Sequence, residues 1–242
     1  MDAAEFLAWV DAGKLPRMPE HPCSYLPERQ ARMQGFVTSG LDPEVYHELM
    51  DRGFRRSGDF FYAPDCRGCR RCVPIRVPVL NFRPSRSQRR ARQRNRDVTL
   101  RIGLPELDGP RVELYQRYLT GQHSGGEQSA DEATLQSFLY QQIVDTVEVS
   151  YWLGERLIAV TILDVCSRSV SSVYHFFDPE FGRRSLGVYS VLAEIEWTRD
   201  QGIPHYYLGY WVEGARTMHY KADYRPHELL VDGRWVPGSE GG

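Results

Sequence analysis

Three consecutive segments rich in β-branched and aromatic residues constrain the fold of this 242-residue chain more than any other feature. They span Thr146–Leu153, Arg156–Val165 and Ser169–Phe177, and short turns such as Leu153-Gly-Glu155 separate them. Segments of this composition that follow one another through short turns favour pairing with their direct neighbours. The pattern therefore predicts an antiparallel meander of three strands in the second half of the chain.

Helical segments flank the predicted meander, and one further strand follows it. The residues Arg111–Leu119 and Asp131–Val144 have helical periodicity, and so do Leu186–Asp200 after the meander. A buried strand rich in aromatic residues, His205–Val212, comes next. The order helix–helix–strand–strand–strand–helix–strand resembles the plan of GNAT-type acyltransferases. We therefore predict an α+β fold with a GNAT-like acyltransferase domain.

The first part of the chain differs from this domain in charge. From Arg52 to Arg101 there are 15 arginines and three acidic residues, a local charge of +12, whereas the other 192 residues carry 15 basic and 29 acidic side chains. The net charge of −2 thus conceals a basic block on an acidic protein, which indicates a polyanionic partner. We expect a smaller Cys- and Arg-rich domain over residues 1–104 and the GNAT-like domain over 105–242, joined near Gly103–Gly109.

Hydropathy and cysteine content predict the compartment. The longest apolar run, about Leu157–Leu163, is interrupted by Thr161 and is far shorter than the roughly 20 residues that cross a bilayer. The N-terminus begins Met-Asp-Ala-Ala-Glu and has no basic segment before an apolar core, so no secretion signal is expected. We predict a cytoplasmic protein without a membrane partner, in which clustered cysteines favour metal or redox chemistry over disulfides.

Three cysteines lie within seven residues, Cys66-Arg-Gly-Cys69-Arg-Arg-Cys72, and Cys23 lies upstream. Thiolates two residues apart can bind one soft metal ion, because a tight turn aims both sulfur atoms at the same point. With Cys23 they would complete a four-sulfur site for zinc or an iron–sulfur cluster. Nearby arginines would favour the thiolate form. The alternative is a set of reduced structural thiols with no metal.

The densest part of the basic block is Arg83–Arg96, with seven arginines in 14 residues and no acidic residue. As a helix it would place Arg86, Arg90 and Arg94 on one face, and as a strand it would align Arg90, Arg92, Arg94 and Arg96. In either case the guanidinium groups fit phosphate oxygens, so we predict contact with nucleic acid. The alternative is a solvated charged surface, which like-charge repulsion at i and i+4 disfavours.

Two segments after the meander carry further candidates. The turn Arg184-Ser-Leu-Gly187 would present backbone N–H groups at the start of a helix, where an anion can bind, although an ordinary helix start explains it equally well. It partly resembles the pyrophosphate loop of acetyl-CoA-dependent acetyltransferases, but Tyr189 replaces the final small residue. The aromatic run His205–Trp211 would stack on an adenine or hold an amino-acid side chain, or else form the sheet core.

Motifs along nearly the whole chain resemble those of the arginyl-tRNA–protein transferases. The short length resembles the bacterial branch, the aspartate/glutamate leucyltransferases. The matching motifs in the first half are Cys23-Ser-Tyr-Leu-Pro27, Gly53-Phe-Arg-Arg-Ser-Gly58, the Cys66–Cys72 cluster and Phe82-x-Pro-Ser-Arg-Ser-Gln-Arg-Arg90. Those in the second half are Val170-Ser-Ser-Val-Tyr174, Ser185-Leu-Gly187, Tyr207-Leu-Gly-Tyr-Trp211 and Met218-x-Tyr-Lys221.

The resemblance implies transfer of an amino acid, leucine or alternatively arginine, from aminoacyl-tRNA to the α-amine of a protein that begins with Asp or Glu. The product would enter N-degron proteolysis through an adaptor and a protease. No cofactor is required, because the tRNA ester is already activated. The carboxylate of Asp164, as a base or an orienting group, or the imidazole of His123 would act on the attacking amine. The alternatives are a surface turn residue for Asp164 and a capping or core histidine for His123. The residues expected to bind donor or substrate are Arg76, Arg86, Arg89, Arg90, Tyr174, Arg184, Ser185, Gly187, Tyr207, Tyr210, Trp211, Tyr220 and Lys221.

The chain departs from the family pattern at two places, and two other functions compete. Ala215 and Thr217 stand where the family often has Cys-x-Lys, and Gln122-His123 stands where it often has Arg-His. A non-catalytic, zinc-stabilised nucleic-acid-binding protein would also use the basic segment, but it would not need the aromatic strand. A CoA-dependent N-acetyltransferase would share the fold, but Tyr189 and the basic segment argue against it.

Overall fold

The computed structural model of the chain describes residues 2–122 and 131–238. The α-helices are α1 (Ala3–Asp11), α2 (Pro43–Asp51), α3 (Arg86–Arg94), α4 (Gly109–Gln122), α5 (Glu132–Leu139) and α6 (Leu186–Asp200). The strands are β1 (His21–Pro22), β2 (Gln30–Ala31), β3 (Met33–Val37), β4 (Arg55–Ser57), β5 (Phe60–Pro64), β6 (Cys72–Pro78), β7 (Val98–Gly103), β8 (Thr146–Leu153), β9 (Arg156–Val165), β10 (Ser169–Phe177), β11 (His205–Val212), β12 (Glu228–Val231) and β13 (Arg234–Pro237). Two 3₁₀ helices span Pro179–Arg184 and Arg216–Asp223.

An eight-stranded sheet with the order β13-β12-β6-β11-β10-β9-β8-β7 forms the centre of the molecule. Strands β8, β9 and β10 are the predicted antiparallel meander, and all three have the predicted bounds. Strand β11 follows α6 and pairs in parallel with β10. The helix α6 and the strand β11 also have the predicted bounds. The sequence pattern of the second half is therefore confirmed, and with it the α+β class.

Strands from before residue 104 belong to the same sheet. β6 pairs antiparallel with β11, and β7 pairs antiparallel with β8 at the edge of the sheet. Residues from both predicted domains are thus hydrogen-bonded within one sheet. The division of the chain at residue 104 stays a prediction.

A second, three-stranded sheet of order β3-β5-β4 forms from the first part of the chain. The helix α2 packs with it. Its first turn is stabilised because the side chain of Asp42 accepts from the N–H groups of Glu44 and Val45, and Pro43 stands at the start of the helix. Tyr46, Leu49 and Phe61 are buried in the core between these elements.

The side chains of the large sheet alternate between two cores. Tyr206 and Leu208 of β11 pack with α6, whereas Tyr207 between them packs with the core of the small sheet. The helices α4 and α5 cover β9 and β10 through another core that includes Val160 and Phe176. Because neighbouring strand residues point to opposite faces, α6 lies on one face and the small sheet lies on the other.

The predicted helix Asp131–Val144 ends earlier than expected, and β6 ends at a turn. The helix α5 ends at Leu139, not Val144, because Ile143 and Val144 pack into the core of the small sheet. The strand β6 ends at Pro78, since the chain turns there and the N–H of Asn81 donates to the carbonyl of Pro78. No helix in the described ranges is long and apolar enough to cross a membrane.

A fully buried ion pair connects the two sheets. Arg56 of β4 donates from Nε and Nη2 to the two carboxylate oxygens of Asp164 of β9, each at 2.6 Å, and both side chains are 0% exposed. The hydroxyl of Thr146 also donates to Asp164 at 3.0 Å. A buried carboxylate in such a bidentate pair has its charge and its lone pairs satisfied by the protein.

We predict that Asp164→Asn destabilises the protein by about 3–5 kcal/mol, because the substitution leaves the Arg56 guanidinium buried without a charged partner. Urea unfolding followed by circular dichroism measures the change. The matched control is Arg168→Ala, which removes an exposed ion pair with Glu48 and is expected to cost at most about 1 kcal/mol. Equal losses for the two variants would contradict a structural role for the buried pair.

Candidate active site

The strands β10 and β11 pair over only three residues each and then part. Ser169–Ser171 pair with His205–Tyr207, and both strands are irregular just beyond, between Ser172 and Tyr174 in β10 and between Tyr207 and Gly209 in β11. A cavity of about 480 Å³ lies at this opening. Its size is typical of sites that bind small molecules or the ends of larger ones.

Five of the predicted binding residues line this cavity together. Tyr174 comes from β10, Ser185 and Gly187 from the start of α6, and Tyr220 and Lys221 from the 3₁₀ helix after β11. They are distant in sequence and meet only because α6 and β11 follow the meander in the order that the sequence predicts. The expectation that these motifs form one site is consistent with this geometry.

Arg55 is the principal residue of the cavity that the sequence analysis did not select. It extends from β4 to the opening, where its Nη2 donates to the carbonyl oxygen of Ser172. Its Nη1 is buried without a hydrogen-bond partner among the described residues. The guanidinium lies against Gly209, which has a φ of +88°, and a Cβ there would be 2.9 Å from Arg55 Cζ. The only sequence signal for this residue was the motif that contains it.

Lys221 is a second cation of the cavity. Its side chain is buried, and its Nζ donates to the carbonyl oxygen of Tyr210 at 3.0 Å. No carboxylate of the described residues pairs with it. Burial and, to a lesser extent, the positive charge of Arg55 lower the pKa of Lys221 to about 7. The amine therefore changes between its charged and neutral forms near neutral pH.

His175 of β10 lines the cavity and was also missed. Its Nδ1 lies 2.9 Å from the hydroxyl of Thr161, and its Nε2 is buried without a partner in the described part of the chain. Burial lowers the pKa of His175 to about 4. The imidazole is therefore neutral at neutral pH and adds no charge to the cavity.

The densest arginine segment forms the helix α3, which decides between the helix and strand alternatives. Ser85 and Gln88 form a capping box at its start, and Gln88, Ala91 and Asn95 are buried against the protein. Three of the predicted tRNA-binding residues are exposed on this helix: Arg86, Arg89 and Arg90.

The helix α3 lies beside the entrance of the cavity. Its Arg94 donates from Nη2 to the hydroxyl of Ser185 at 2.9 Å, and Ser185 lines the cavity. The side chain of Asn95 donates to the carbonyl of Arg184 at 2.8 Å. An exposed row of guanidinium groups is thus joined directly to the N-terminus of α6.

Arg76 and Tyr207 lie together elsewhere, in a separate cluster around Asp51. Arg76 donates to Asp51 at 2.9 Å and to Glu228 at 2.7 Å, and the hydroxyl of Tyr207 also donates to Asp51. Trp235 Nε1 donates to the same oxygen at 2.9 Å. Because Arg76 is satisfied by two carboxylates, its geometry does not suit the recognition of a substrate acid.

Four further predicted residues lie outside the cavity. Arg184 pairs with Asp97 at 2.7 Å, and the hydroxyl of Tyr210 donates to the carbonyl of Gly53 at 2.7 Å. The ring of Trp211 stacks on His219. Asp164, expected to act on the amine, is the buried partner of Arg56, so its placement argues against that role. The other catalytic candidate, His123, lies outside the described residues.

The four cysteines of the predicted metal site, Cys23, Cys66, Cys69 and Cys72, are free thiols. Within residues 2–122 and 131–238, no group of three or more His, Cys, Asp or Glu side chains is arranged to hold a metal ion. Cys66 Sγ instead accepts from the N–H of Arg32 at 3.4 Å. Burial and the neighbouring thiols of Cys66, Cys23 and Cys69 raise the pKa of the Cys72 thiol to about 12. The zinc or iron–sulfur site stays a prediction.

Comparison with known families agrees with this arrangement. Residues 110–231 match the family described as "Arginine-tRNA-protein transferase, C terminus", and residues 21–90 match the corresponding N-terminal family. The chain belongs to the arginine-tRNA-protein transferase family. The two matches include the arginine motif of β4, most of α3 and every element that lines the cavity.

Sequence similarity to curated members of this transferase family covers most of the chain. The aspartate/glutamate leucyltransferase of Hahella chejuensis is 37% identical over 227 residues, which cover 90% of this chain and 94% of that protein. The protein of the same name from Acinetobacter baumannii is 41% identical over 223 residues, with coverages of 90% and 81%. That of Pseudomonas fluorescens is 40% identical over 220 residues, with coverages of 89% and 93%.

A solved structure supports the fold of the transferase. It is the C-terminal domain of a protein from Agrobacterium fabrum that carries the name lysylphosphatidylglycerol synthetase. The TM-score is 0.51 at 13% identity, over 85% of this chain and 66% of that one. At this identity the likeness concerns the fold alone, and the predicted GNAT-like class is confirmed.

We predict that Lys221→Met changes the pH dependence of stability. The pKa of Lys221 falls from 10.5 to about 7 on folding, so between these values the unfolded chain binds more protons. The wild-type protein therefore loses stability as the pH falls from about 10 to 7, and the variant lacks this loss. Urea unfolding at pH 7 and pH 9.5 measures both proteins. The free energy of unfolding of the variant minus that of wild type is expected to be larger at pH 7 than at pH 9.5 by about a few kcal/mol. The same difference at both pH values would contradict a buried, unpaired amine.

Proposed function

We propose that the chain transfers leucine from leucyl-tRNA to the α-amine of proteins that begin with Asp or Glu. The amine nitrogen attacks the ester carbonyl carbon, a peptide bond forms, and the 3′-terminal ribose oxygen of the tRNA leaves as a hydroxyl. The observation that carries the proposal is a cavity at the parting of β10 and β11 that contains two cations and adjoins an exposed arginine helix.

The arginine helix suits the donor's tRNA. Exposed guanidinium groups on α3 bind phosphates in a row, while Arg94 connects this row to Ser185 at the cavity entrance. The first turn of α6 leaves backbone N–H groups without intrahelical partners, and these groups favour a phosphate near the aminoacyl end. In this arrangement the 3′ end of the tRNA passes from α3 into the cavity.

The cavity lining favours a leucyl over an arginyl donor. Apolar side chains of Val173, Leu186, Val191 and Leu208 contribute to the lining. Among the described residues, neither Asp nor Glu lines it. An arginyl side chain would bring a third cation beside Arg55 and Lys221 without a carboxylate to pair with it, which costs free energy, whereas a leucyl side chain gains from burial.

Lys221 suits proton transfer from the attacking amine. An α-amino group has a pKa of about 7.7–8, and the pKa of Lys221 is lowered to about 7. The two values are close enough for the neutral Lys221 amine to accept the proton that the nucleophile loses. His175 remains neutral over the same pH range because its pKa is about 4. The aminoacyl ester supplies its own activation, so the proposed reaction consumes neither ATP nor CoA.

The proposed product has a consequence for the acceptor protein. Its N-terminal Asp or Glu is covered by leucine, so a bulky apolar residue replaces an acidic one at the N-terminus. We propose that such a product is degraded through the N-degron machinery. This step belongs to other proteins and depends entirely on the transfer reaction.

The direct test is a transfer assay with purified protein. Radiolabelled leucyl-tRNA or arginyl-tRNA is incubated with peptides that begin with Asp, Glu or Ala, and label in the peptide is measured. We expect transfer from leucyl-tRNA to the Asp and Glu peptides. Binding of tRNA without any transfer would support a non-catalytic nucleic-acid-binding protein instead. Transfer from arginyl-tRNA alone would overturn the leucyl assignment.

A second prediction concerns the helix α3. Arg89→Ala combined with Arg90→Ala is expected to weaken binding of leucyl-tRNA and to lower the slope of log affinity against log salt by about one to two, because two phosphate contacts are lost. Filter binding at salt concentrations from about 50 to about 200 mM measures both the affinity and the slope.

Arg168→Ala is the control for this experiment, because Arg168 pairs with Glu48 on another part of the surface. It is expected to leave both the affinity and the slope unchanged. A double variant of α3 with the wild-type slope would show that this pair of arginines does not contact phosphate.

A further inference from the structure

We infer that Arg55 binds the side-chain carboxylate of the acceptor's N-terminal Asp or Glu. The inference rests on the proposed function and deepens it, since it assigns acceptor specificity to one residue. Arg55 lies at the parting of the strands, one of its nitrogens has no acceptor among the described residues, and the other arginines nearby are already paired.

The charges in the cavity favour the binding of an anionic ligand. Arg55 and Lys221 lie close enough for their charges to repel, and no acidic side chain of the described residues lines the cavity with them. Two cations in a partly desolvated cavity without a counter-charge are unfavourable in the free protein. A carboxylate guest removes this cost and forms charge-assisted hydrogen bonds, whereas a neutral amide guest does not.

One nitrogen of Arg55 has no hydrogen-bond acceptor in the protein as described. Its Nη2 is used by the carbonyl of Ser172, which fixes the plane of the guanidinium. Its Nη1 has no acceptor within the described residues and is shielded from solvent. A buried donor without a partner costs free energy, and a ligand oxygen would recover that cost. Gly209 makes room for the group, because any side chain at that position would occupy the space of the guanidinium.

The neighbouring arginines are already paired with acidic groups of the protein. Arg56 pairs with Asp164, Arg76 with Asp51 and Glu228, and Arg184 with Asp97. Arg94 donates to Ser185 on the side of α3 and α6. Among the described residues, Arg55 is therefore the arginine of the cavity that has no carboxylate partner and can pair with a substrate carboxylate.

The position of Arg55 also separates the acceptor from the donor. Arg55 reaches the opening from β4, on the face of the large sheet that the small sheet covers, whereas α6 packs on the opposite face. The α3 and α6 side is occupied by the donor's tRNA in the proposed function. The acceptor peptide then enters from the side of the small sheet, and its side chain meets Arg55 before its amine reaches the ester.

The test compares acidic acceptors with their neutral amides. Wild type and Arg55→Met are assayed at saturating leucyl-tRNA with peptides that differ only in an N-terminal Asp, Asn, Glu or Gln. Methionine fills similar space without a charge. We expect kcat/KM for the Asp and Glu peptides to fall by about 100-fold, as for loss of one partner of a buried charge pair, while the amide peptides change little. The preference for acids over amides should nearly disappear.

Two controls keep a structural effect apart from a specific one. Arg52→Gln, three residues away, removes an arginine that pairs with Asp11 and Glu48 on the surface, and wild-type kinetics are expected. Arg55→Lys keeps the charge but loses the planar fork, so it should retain a reduced acid preference. Leucyl-tRNA affinity and thermal unfolding of each variant are measured in parallel. The affinity should stay close to wild type, and Arg55→Met should unfold at a somewhat lower temperature because the carbonyl of Ser172 loses its donor.

The outcomes separate this inference from the proposed function. An equal fall for acid and amide peptides in Arg55→Met, or an unchanged acid preference, overturns the assignment of Arg55 while transfer by the wild type stands. If Arg55→Met does not fold, an equal fall of kcat/KM for acid and amide peptides in Arg55→Lys, or an unchanged acid preference, overturns the assignment. A wild-type protein that transfers leucine to none of the four peptides overturns both.

Discussion

The buried ion pair between Arg56 and Asp164 is the interaction on which the rest of the site depends. It fixes β4 of the small sheet against β9 of the large sheet with two hydrogen bonds of 2.6 Å. Consecutive strand residues point in opposite directions, so the pair that fixes Arg56 also determines where Arg55 extends. One arginine supports the fold, and its neighbour supplies a charge to the cavity.

The cavity exists because two neighbouring strands stop pairing. Where β10 and β11 part, backbone groups lose their partners, and an unpaired buried carbonyl costs free energy. The guanidinium of Arg55 satisfies the carbonyl of Ser172 at this point, so the same side chain compensates for the opening and occupies it. Gly209, with its φ of +88°, allows this close approach. The site therefore arises from an interruption of the sheet that the protein compensates with a charged residue.

Sequence patterns predicted the elements that carry the site more reliably than the residues that act in it. The meander, α6 and β11 have the predicted bounds, because alternation and helical periodicity reflect burial against neighbours that are close in sequence. Asp164 stands near the end of a strand and looked available for chemistry. In the structure it is fully buried, since β4, which is 108 residues away in sequence, covers it with Arg56. Pattern alone does not record such a partner.

The sequence by itself determined three features: the order of elements in the second half, the basic block within an acidic chain and the family resemblance. All three depend only on local composition, periodicity and spacing. Only the tertiary structure decided which arginines are free. Arg56 and Asp164 are separated by 108 residues, and Arg76 and Glu228 by 152. Arginine side chains are chemically identical in a sequence, and their pairing depends on carboxylates that the fold brings near, so folding alone distinguishes Arg55 from its paired neighbours.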